Sequence, residues 1–212
     1  EDFELMAAIT PTDKPYLRTG GWETVKSRLP WLMLLMLSAT FTGIVISSFE
    51  DSLAVCSVLI GFIPMLMGTG GNCGNQSSVA VIRGLSLNEI GFSDLLSVVW
   101  KESRVALVCG ALLSCANFVK LLAVDRWLMQ NAEVTTLVAL VICLTLMCTV
   151  FCAKVVGCLL PLLAEKIGLD PAVMAAPFIS TIVDVLSLLI YFQFAMALLG
   201  LFCGAVAQVG DL

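Results

Sequence analysis

Asp184 is the residue whose position most strongly predicts chemistry. It lies within a long apolar stretch, residues 173–207, and at 1.5 Å per residue a helix there would place it about 16 Å deep in a membrane. A charged carboxylate at mid-membrane costs at least about 2.5–3.5 kcal/mol, so such a residue faces a partner charge or a water-filled cavity. Asp184 is therefore a candidate for binding a cation.

Polar residues recur around Asp184 at helical spacing. Ser180, Asp184, Ser187 and Tyr191 are separated by 4, 3 and 4 residues, and on a helix they fall within about 60° of one another. Pro177 lies beside the same stripe. The pattern predicts that one face of this helix is wetted by an aqueous cavity.

A second interpretation of Asp184 is an ion pair with Lys154. The two residues lie almost symmetrically about a predicted turn at Gly168 and Leu169, which places them at similar depth. In that case the neighbouring Ser and Thr residues would make ordinary helix–helix hydrogen bonds. Equal depth does not establish a shared face, so both interpretations stay open at this point.

The segment from Gly68 to Ser78 is the other polar feature inside an apolar stretch. Its glycines allow close helix approach or local unwinding, and non-helical backbone at membrane depth survives only where it lines a cavity or packs against protein. Asn72, Asn75 and Gln76 can project their carboxamides to one side, and hydrated cations accept such ligands. The alternative is a glycine-rich packing seam.

The acidic residues proposed for the outer side are Glu50, Asp51, Asp125 and Glu133. The simplest interpretation makes them solvated loop charges. They can also raise the local cation concentration at an entrance, an effect that salt would screen.

Composition determines which elements must position these residues. Of 212 residues, 59% are hydrophobic and 13% charged, and the mean hydropathy is +1.02, which excludes an ordinary globular protein. Since about 20 mostly apolar residues cross a bilayer, we predict an all-α, polytopic membrane protein. Its five transmembrane helices are expected at 29–48, 54–82, 97–122, 135–164 and 173–207.

The positions of Lys and Arg predict the orientation, because these residues are retained on the cytoplasmic side. Eight of them fall in residues 1–28 and in the connections 83–104 and 165–172, whereas Lys120 and Arg126 fall on the opposite side. The N-terminus is therefore expected in the cytoplasm and the C-terminus outside. Residues 1–28 form a polar lead-in, with Pro30 and Trp31 marking the helix start, and residues 29–209 form the transmembrane domain.

Several function classes are excluded. A net charge of −5 without a basic patch argues against nucleic acid as a partner. The absence of His removes a serine-type mechanism, and an intramembrane aspartate protease needs a second membrane-embedded acid, of which none is evident. We therefore expect no enzymatic activity.

Particular motifs resemble the MgtE family of bacterial magnesium channels, from the lead-in to the end of the fifth span. The most specific stretch is Gly-Gly-Asn-x-Gly-Asn-Gln-Ser at 70–77, followed by Asp-x-x-x-Leu-Leu-x-Tyr-Phe at 184–192. The further matching segments are 28–32, 83–85, 160–161 and 170–172.

The resemblance implies a homodimer in the bacterial inner membrane, with a central pore lined by the second and fifth helices. Asp184 then matches the acidic residue that binds a largely hydrated Mg²⁺, assisted by the backbone carbonyl of Ser180, and Asn75 matches a polar pore-lining position. The expected remaining pore lining is Gly71, Asn72, Gln76, Pro177, Thr181 and Ser187.

The resemblance also implies partners and points of difference. Family members carry cytoplasmic magnesium-sensing domains joined by a plug helix, and residues 1–28 resemble the tail of that connection, so the sensing domains are expected to be absent from this chain. Ala176, Leu186 and Ser187 depart from the family motif. Discrimination between Mg²⁺, Mn²⁺ and Co²⁺ is therefore open.

The physical chemistry of Mg²⁺ is compatible with this interpretation. The ion gives up water reluctantly, so a protein that passes it quickly should hold the hydrated ion through one or two carboxylates and carbonyls. A dimer axis would bring two copies of Asp184 together, repelling each other until a dication arrives. A potential of 100 mV supplies roughly 4.6 kcal/mol for two charges, so passive transport suffices.

The alternative is a secondary transporter that exchanges the dication for H⁺ or Na⁺, with Lys154 and Asp184 as a titrating pair.

Overall fold

Five long α-helices follow one another in the part of the chain that the structure describes. The computed structural model describes residues 5, 9–10, 15–49, 57–174 and 176–210, with backbone only at 16, 57, 173–174, 176–177 and 198–210. No strand occurs among these residues, so the all-α prediction is confirmed. The helices are α1 (Gly21–Ser48), α2 (Ile63–Ser86), α3 (Leu95–Lys120), α4 (Thr136–Lys166) and α5 (Ala176–Gly210).

Four apolar segments of the described chain are long enough to cross a membrane: Gly21–Ser48, Phe92–Leu128, Thr136–Lys166 and Phe178–Ala197. They correspond to α1, α3 with its flanking turns, α4 and part of α5. Helix α2 is less apolar because Gly, Asn, Gln and Ser occupy its middle. Its 24 residues still reach about 36 Å, more than the hydrocarbon core.

The predicted start of the first helix is wrong. Pro30 and Trp31 were expected to begin it, but α1 begins at Gly21 and Pro30 lies inside it. The physical reason is that only one backbone hydrogen bond is lost at a helix-interior proline, and the residues between Gly21 and Pro30 are compatible with a helix. The second helix also begins later than predicted, at Ile63, after a 3₁₀ turn at Ser57–Phe62.

Helix α4 lies at the centre of the bundle. It packs against α2, α3 and α5, while α2 also packs against α5, and α1 packs chiefly against α5. The shared core includes Leu66, Ile142, Val150 and Ile179. Consequently α2, α4 and α5 each contact the other two, and these contacts fix the positions of α2 and α5.

The glycine-rich segment is a continuous part of α2, so of the two possibilities, close approach and unwinding, the structure has close approach. A Cβ on Gly70 would lie 2.7 Å from Thr149 Cγ2 and 2.9 Å from Val183 Cγ1, and a Cβ on Gly157 would collide with the Gly74 carbonyl. Missing side chains therefore let α2 touch both α4 and α5. The packing-seam interpretation is correct for Gly70 and Gly74.

Candidate ion-binding groove

A groove lies between α2 and α5. Its volume is about 410 Å³. The residues that line it are Pro64, Met67, Gly68, Gly71, Asn72 and Asn75 from α2, with Ser180 and Asp184 from α5. The structure thus brings together the two polar features that the sequence singled out.

The spacing of the lining residues explains how one face of α2 lines the groove while the opposite face packs in the core. Gly68, Gly71, Asn72 and Asn75 recur at intervals of three and four and share one helical face. The opposite face carries Gly70, Gly74 and Ser77, which are buried against neighbouring helices. One face of α2 is therefore packed against neighbouring helices and the other lines the groove.

Asn75 connects the two walls of the groove. Its Nδ2 donates a hydrogen bond to Ser180 Oγ at 3.5 Å. Its Oδ1 is buried and has no hydrogen-bond partner within the described residues. An unsatisfied buried acceptor is costly, so this oxygen is free to accept a hydrogen bond from a water molecule on a cation.

Asp184 lies one turn beyond Ser180 on the groove face of α5 and is half-buried. No cationic side chain of the described chain pairs with it. The carboxylate therefore faces the groove without a countercharge, which agrees with the cavity-facing interpretation and not with the ion pair.

Lys154 has other partners, so the hypothesis of a Lys154–Asp184 pair is wrong. Its Nζ lies 3.8 Å from Glu102 Oε2 and donates a hydrogen bond to Ser77 Oγ at 3.3 Å. These partners belong to α2 and α3. Similar depth in the membrane did not imply a shared face of α4.

Glu102 is the residue that the sequence interpretation missed. It lies inside α3, and its side chain is 13% exposed, so it is a buried acid that had been interpreted as a loop charge. The flanking Lys101 and Arg104 made it resemble a charge at the membrane surface. The available signal was Lys154, because a lysine in the middle of a span requires a partner.

Ser187 does not line the groove. It is 1% exposed and its hydroxyl donates to the Val183 carbonyl at 2.6 Å. The reason is that Gly70 brings α2 against α5 at this level and closes the polar stripe. Tyr191, further along the stripe, is also buried and donates a hydrogen bond to the Leu59 carbonyl at 2.9 Å.

Thr181 and Gln76, which were also predicted to line the pore, are not among the residues that line the groove. Thr181 Oγ1 is 3.1 Å from Ser38 Oγ and links α5 to α1. Gln76 is exposed and follows Asn72 by one helical turn, but it is not among the residues that line the groove. Pro177 is part of α5, and its side chain lies outside the described structure.

The outer acids form a separate feature. Asp125 pairs with Lys120 at 2.8 Å. Together with Asn131 and Glu133 it lines another cavity of about 540 Å³. Glu50 and Asp51 lie outside the described residues.

The groove is suited to a hydrated cation. In the described chain, no three His, Cys, Asp or Glu side chains are close enough to hold a bare metal ion. The groove offers one carboxylate, one hydroxyl and two carboxamides per chain. Such a ligand set can hold Mg²⁺ through its retained water molecules.

The sequence is similar to one family model and to several known proteins, all described as cation transporters. The family model of MgtE, described as a divalent cation transporter, matches residues 63–194. The magnesium transporter MgtE of Thermus thermophilus is 34% identical over 94% of this chain and 42% of its own length. The Bacillus subtilis protein of the same name is 35% identical over 93% and 42%, and that of Enterococcus faecalis 33% over 82% and 36%. The chain spans less than half the length of these relatives, whose names describe transport.

Proposed function

Because this chain belongs to the MgtE family of divalent cation transporters, we propose that it carries Mg²⁺ across the membrane, with the groove between α2 and α5 as its part of the ion path. It is a multi-pass membrane protein, and we place it in the bacterial inner membrane with its N-terminus in the cytoplasm. The magnesium specificity follows the names of the relatives.

The observation that carries this proposal is the carboxylate of Asp184, which lies within an apolar helix and has no countercharge from the described residues. A lone charge at that depth is expensive. A dication in the groove would supply the missing charge. Binding of a dication such as Mg²⁺, the ion in the relatives' names, would therefore stabilise this carboxylate.

The other ligands act on the hydration shell of the ion. Ser180 precedes Asp184 by one turn, and the second lone pair of its backbone carbonyl remains available after the helical hydrogen bond. Asn75 Oδ1 is unsatisfied and can accept a hydrogen bond from a coordinated water. Because Mg²⁺ loses water slowly, contacts through water allow passage without full dehydration.

A second copy of the chain would complete the path. The groove contains one carboxylate per chain, whereas a two-fold axis beside it would juxtapose two. Two carboxylates that repel each other favour a divalent ion over a monovalent one. We therefore propose a homodimer with the pore between the subunits.

Passive transport is favoured over exchange for a specific reason. The exchanger hypothesis required Lys154 and Asp184 to titrate as a pair, but Lys154 is paired with Glu102. Asp184 is thus left without a titrating partner and available to the transported ion. Mn²⁺ and Co²⁺ stay within the range of ions that such a site can accept.

The experiment is Mg²⁺ uptake into vesicles containing the Asp184→Asn variant. The variant keeps size and hydrogen bonding but removes the charge, so we expect uptake to fall at least about tenfold, the equivalent of 1.4 kcal/mol, while the protein still assembles. The matched control is Asp94→Asn, because Asp94 accepts a hydrogen bond from Gly91 outside the groove. Normal uptake by Asp184→Asn would refute the proposed ion path.

A further inference from the structure

A buried polar cluster lies on the side of α2 that faces away from the groove. It consists of Ser77 on α2, Glu102 on α3 and Lys154 on α4. The Ser77 hydroxyl donates to Glu102 Oε2 at 2.6 Å and accepts from Lys154 Nζ at 3.3 Å. The ammonium and the carboxylate are 3.8 Å apart, so the serine lies between opposite charges and both its hydrogen-bonding functions are used.

The cluster is placed where it can control the rotation of α2. Ser77 follows Asn75 by two residues, which on a helix corresponds to about 200°, the opposite side. A hydrogen bond that fixes Ser77 therefore also fixes the direction of Asn75. Rotation of α2 by a fraction of a turn would carry Asn75 away from Ser180.

The backbone contact one turn earlier sets how closely α2 approaches α4. A Cβ on Gly157 would collide with backbone atoms of Gly74, so the two helices meet there without side chains. The charged cluster adds hydrogen bonds, which depend on direction, to this part of the α2–α4 interface. Hydrogen bonds to charged groups are also stronger than neutral ones.

We infer that Ser77, Glu102 and Lys154 are positioning residues for transport, holding α2 at the rotation that turns Asn75 toward Ser180 and Asp184. The inference rests on the proposed function of the groove. It assigns a role to the buried lysine and glutamate that ion binding itself does not use.

Ser77→Ala is the direct test because it removes the link to α2 and leaves the Lys154–Glu102 pair intact. Loss of a hydrogen bond to charged groups should lower the initial rate of Mg²⁺ uptake about tenfold. The matched control is Ser78→Ala, since the Ser78 hydroxyl is fully buried and has no hydrogen-bond partner in the described chain. That variant should transport at the normal rate.

A disulfide cross-link measures the rotation without transport. A Cβ on Gly71 would lie 3.7 Å from Ser180 Oγ, so the pair Gly71→Cys and Ser180→Cys should cross-link readily under mild oxidation. Each single variant controls for the native cysteines. Adding Ser77→Ala should slow formation of the cross-link about tenfold in folded protein, whereas adding Ser78→Ala should not.

The outcomes separate this inference from the proposed function. Normal uptake and cross-linking in Ser77→Ala would overturn the inference, and so would equal losses in Ser77→Ala and Ser78→Ala. A lower melting temperature with an unchanged cross-linking rate would mean that the cluster only stabilises the fold. If Ser77→Ala does not accumulate, the nearly isosteric Ser77→Cys, a weak hydrogen-bonding group, provides the same uptake test. Failure of the proposed function would instead appear as normal uptake in Asp184→Asn, whatever the cross-link shows.

Discussion

Lys154 and Glu102 form a buried ion pair across α4 and α3, at 3.8 Å with side chains 6% and 13% exposed. Lys154 also donates a hydrogen bond to Ser77, on the side of α2 that faces away from the groove, so it does not pair with Asp184. The acid on α5 is left facing the groove. The two embedded acids therefore have different roles, one paired within the protein and one available to an ion.

Removing one member of this ion pair should destabilise the protein more than removing both charges. Lys154→Met leaves the Glu102 charge buried and unpaired, and should lower the free energy of unfolding by about 3–5 kcal/mol. The double variant Lys154→Met with Glu102→Gln carries no unpaired charge and should recover most of that loss. Unfolding in detergent checks both.

The control for that comparison is Lys120→Met. Lys120 also pairs with an acid, Asp125, but its side chain is 45% exposed, so the change should cost less than about 1 kcal/mol. A single Lys154→Met variant as stable as this control would contradict the account of the buried pair.

Asn75 and Gln76 are adjacent carboxamides on α2 with different environments, which gives a second test. Asn75→Leu removes one of the two groove carboxamides and should reduce Mg²⁺ uptake at subsaturating concentration about tenfold, as expected for loss of a hydrogen bond to an ion's hydration shell. Gln76→Leu alters an exposed position outside the groove lining and should leave uptake unchanged. Equal effects of the two substitutions would show that α2 is rotated relative to this structure.

The driving force is the third test. A passive pathway needs only the membrane potential, which at 100 mV supplies about 4.6 kcal/mol per Mg²⁺. Uptake into vesicles should therefore follow an imposed potassium diffusion potential when pH and Na⁺ are equal on both sides. Uptake that requires a H⁺ or Na⁺ gradient would support exchange instead.

The features that sequence predicted correctly depend on local pattern. The five helices follow from the lengths of the apolar stretches, and the grouping of Asn72 with Asn75, and of Ser180 with Asp184, follows from helical spacing. These are properties of single helices, and the hydropathy and periodicity of the sequence are enough to predict them.

The features that sequence did not predict depend on how elements meet. Ser187 shares a helical face with Asp184 but is covered because Gly70 admits α2 at that level. Glu102 is the partner of Lys154 because α3 and α4 pack together. Neither relationship is contained in the spacing along one helix, since tertiary packing decides which part of a face is covered.

The most direct measurement is the position of Mn²⁺, soaked in place of Mg²⁺, in an anomalous difference map. We expect a peak between α2 and α5 about 4–5 Å from the Asp184 carboxylate, the separation for an ion held through its water shell. The peak should disappear in Asp184→Asn. A peak at Glu102 or Asp125 with none in the groove would contradict the account.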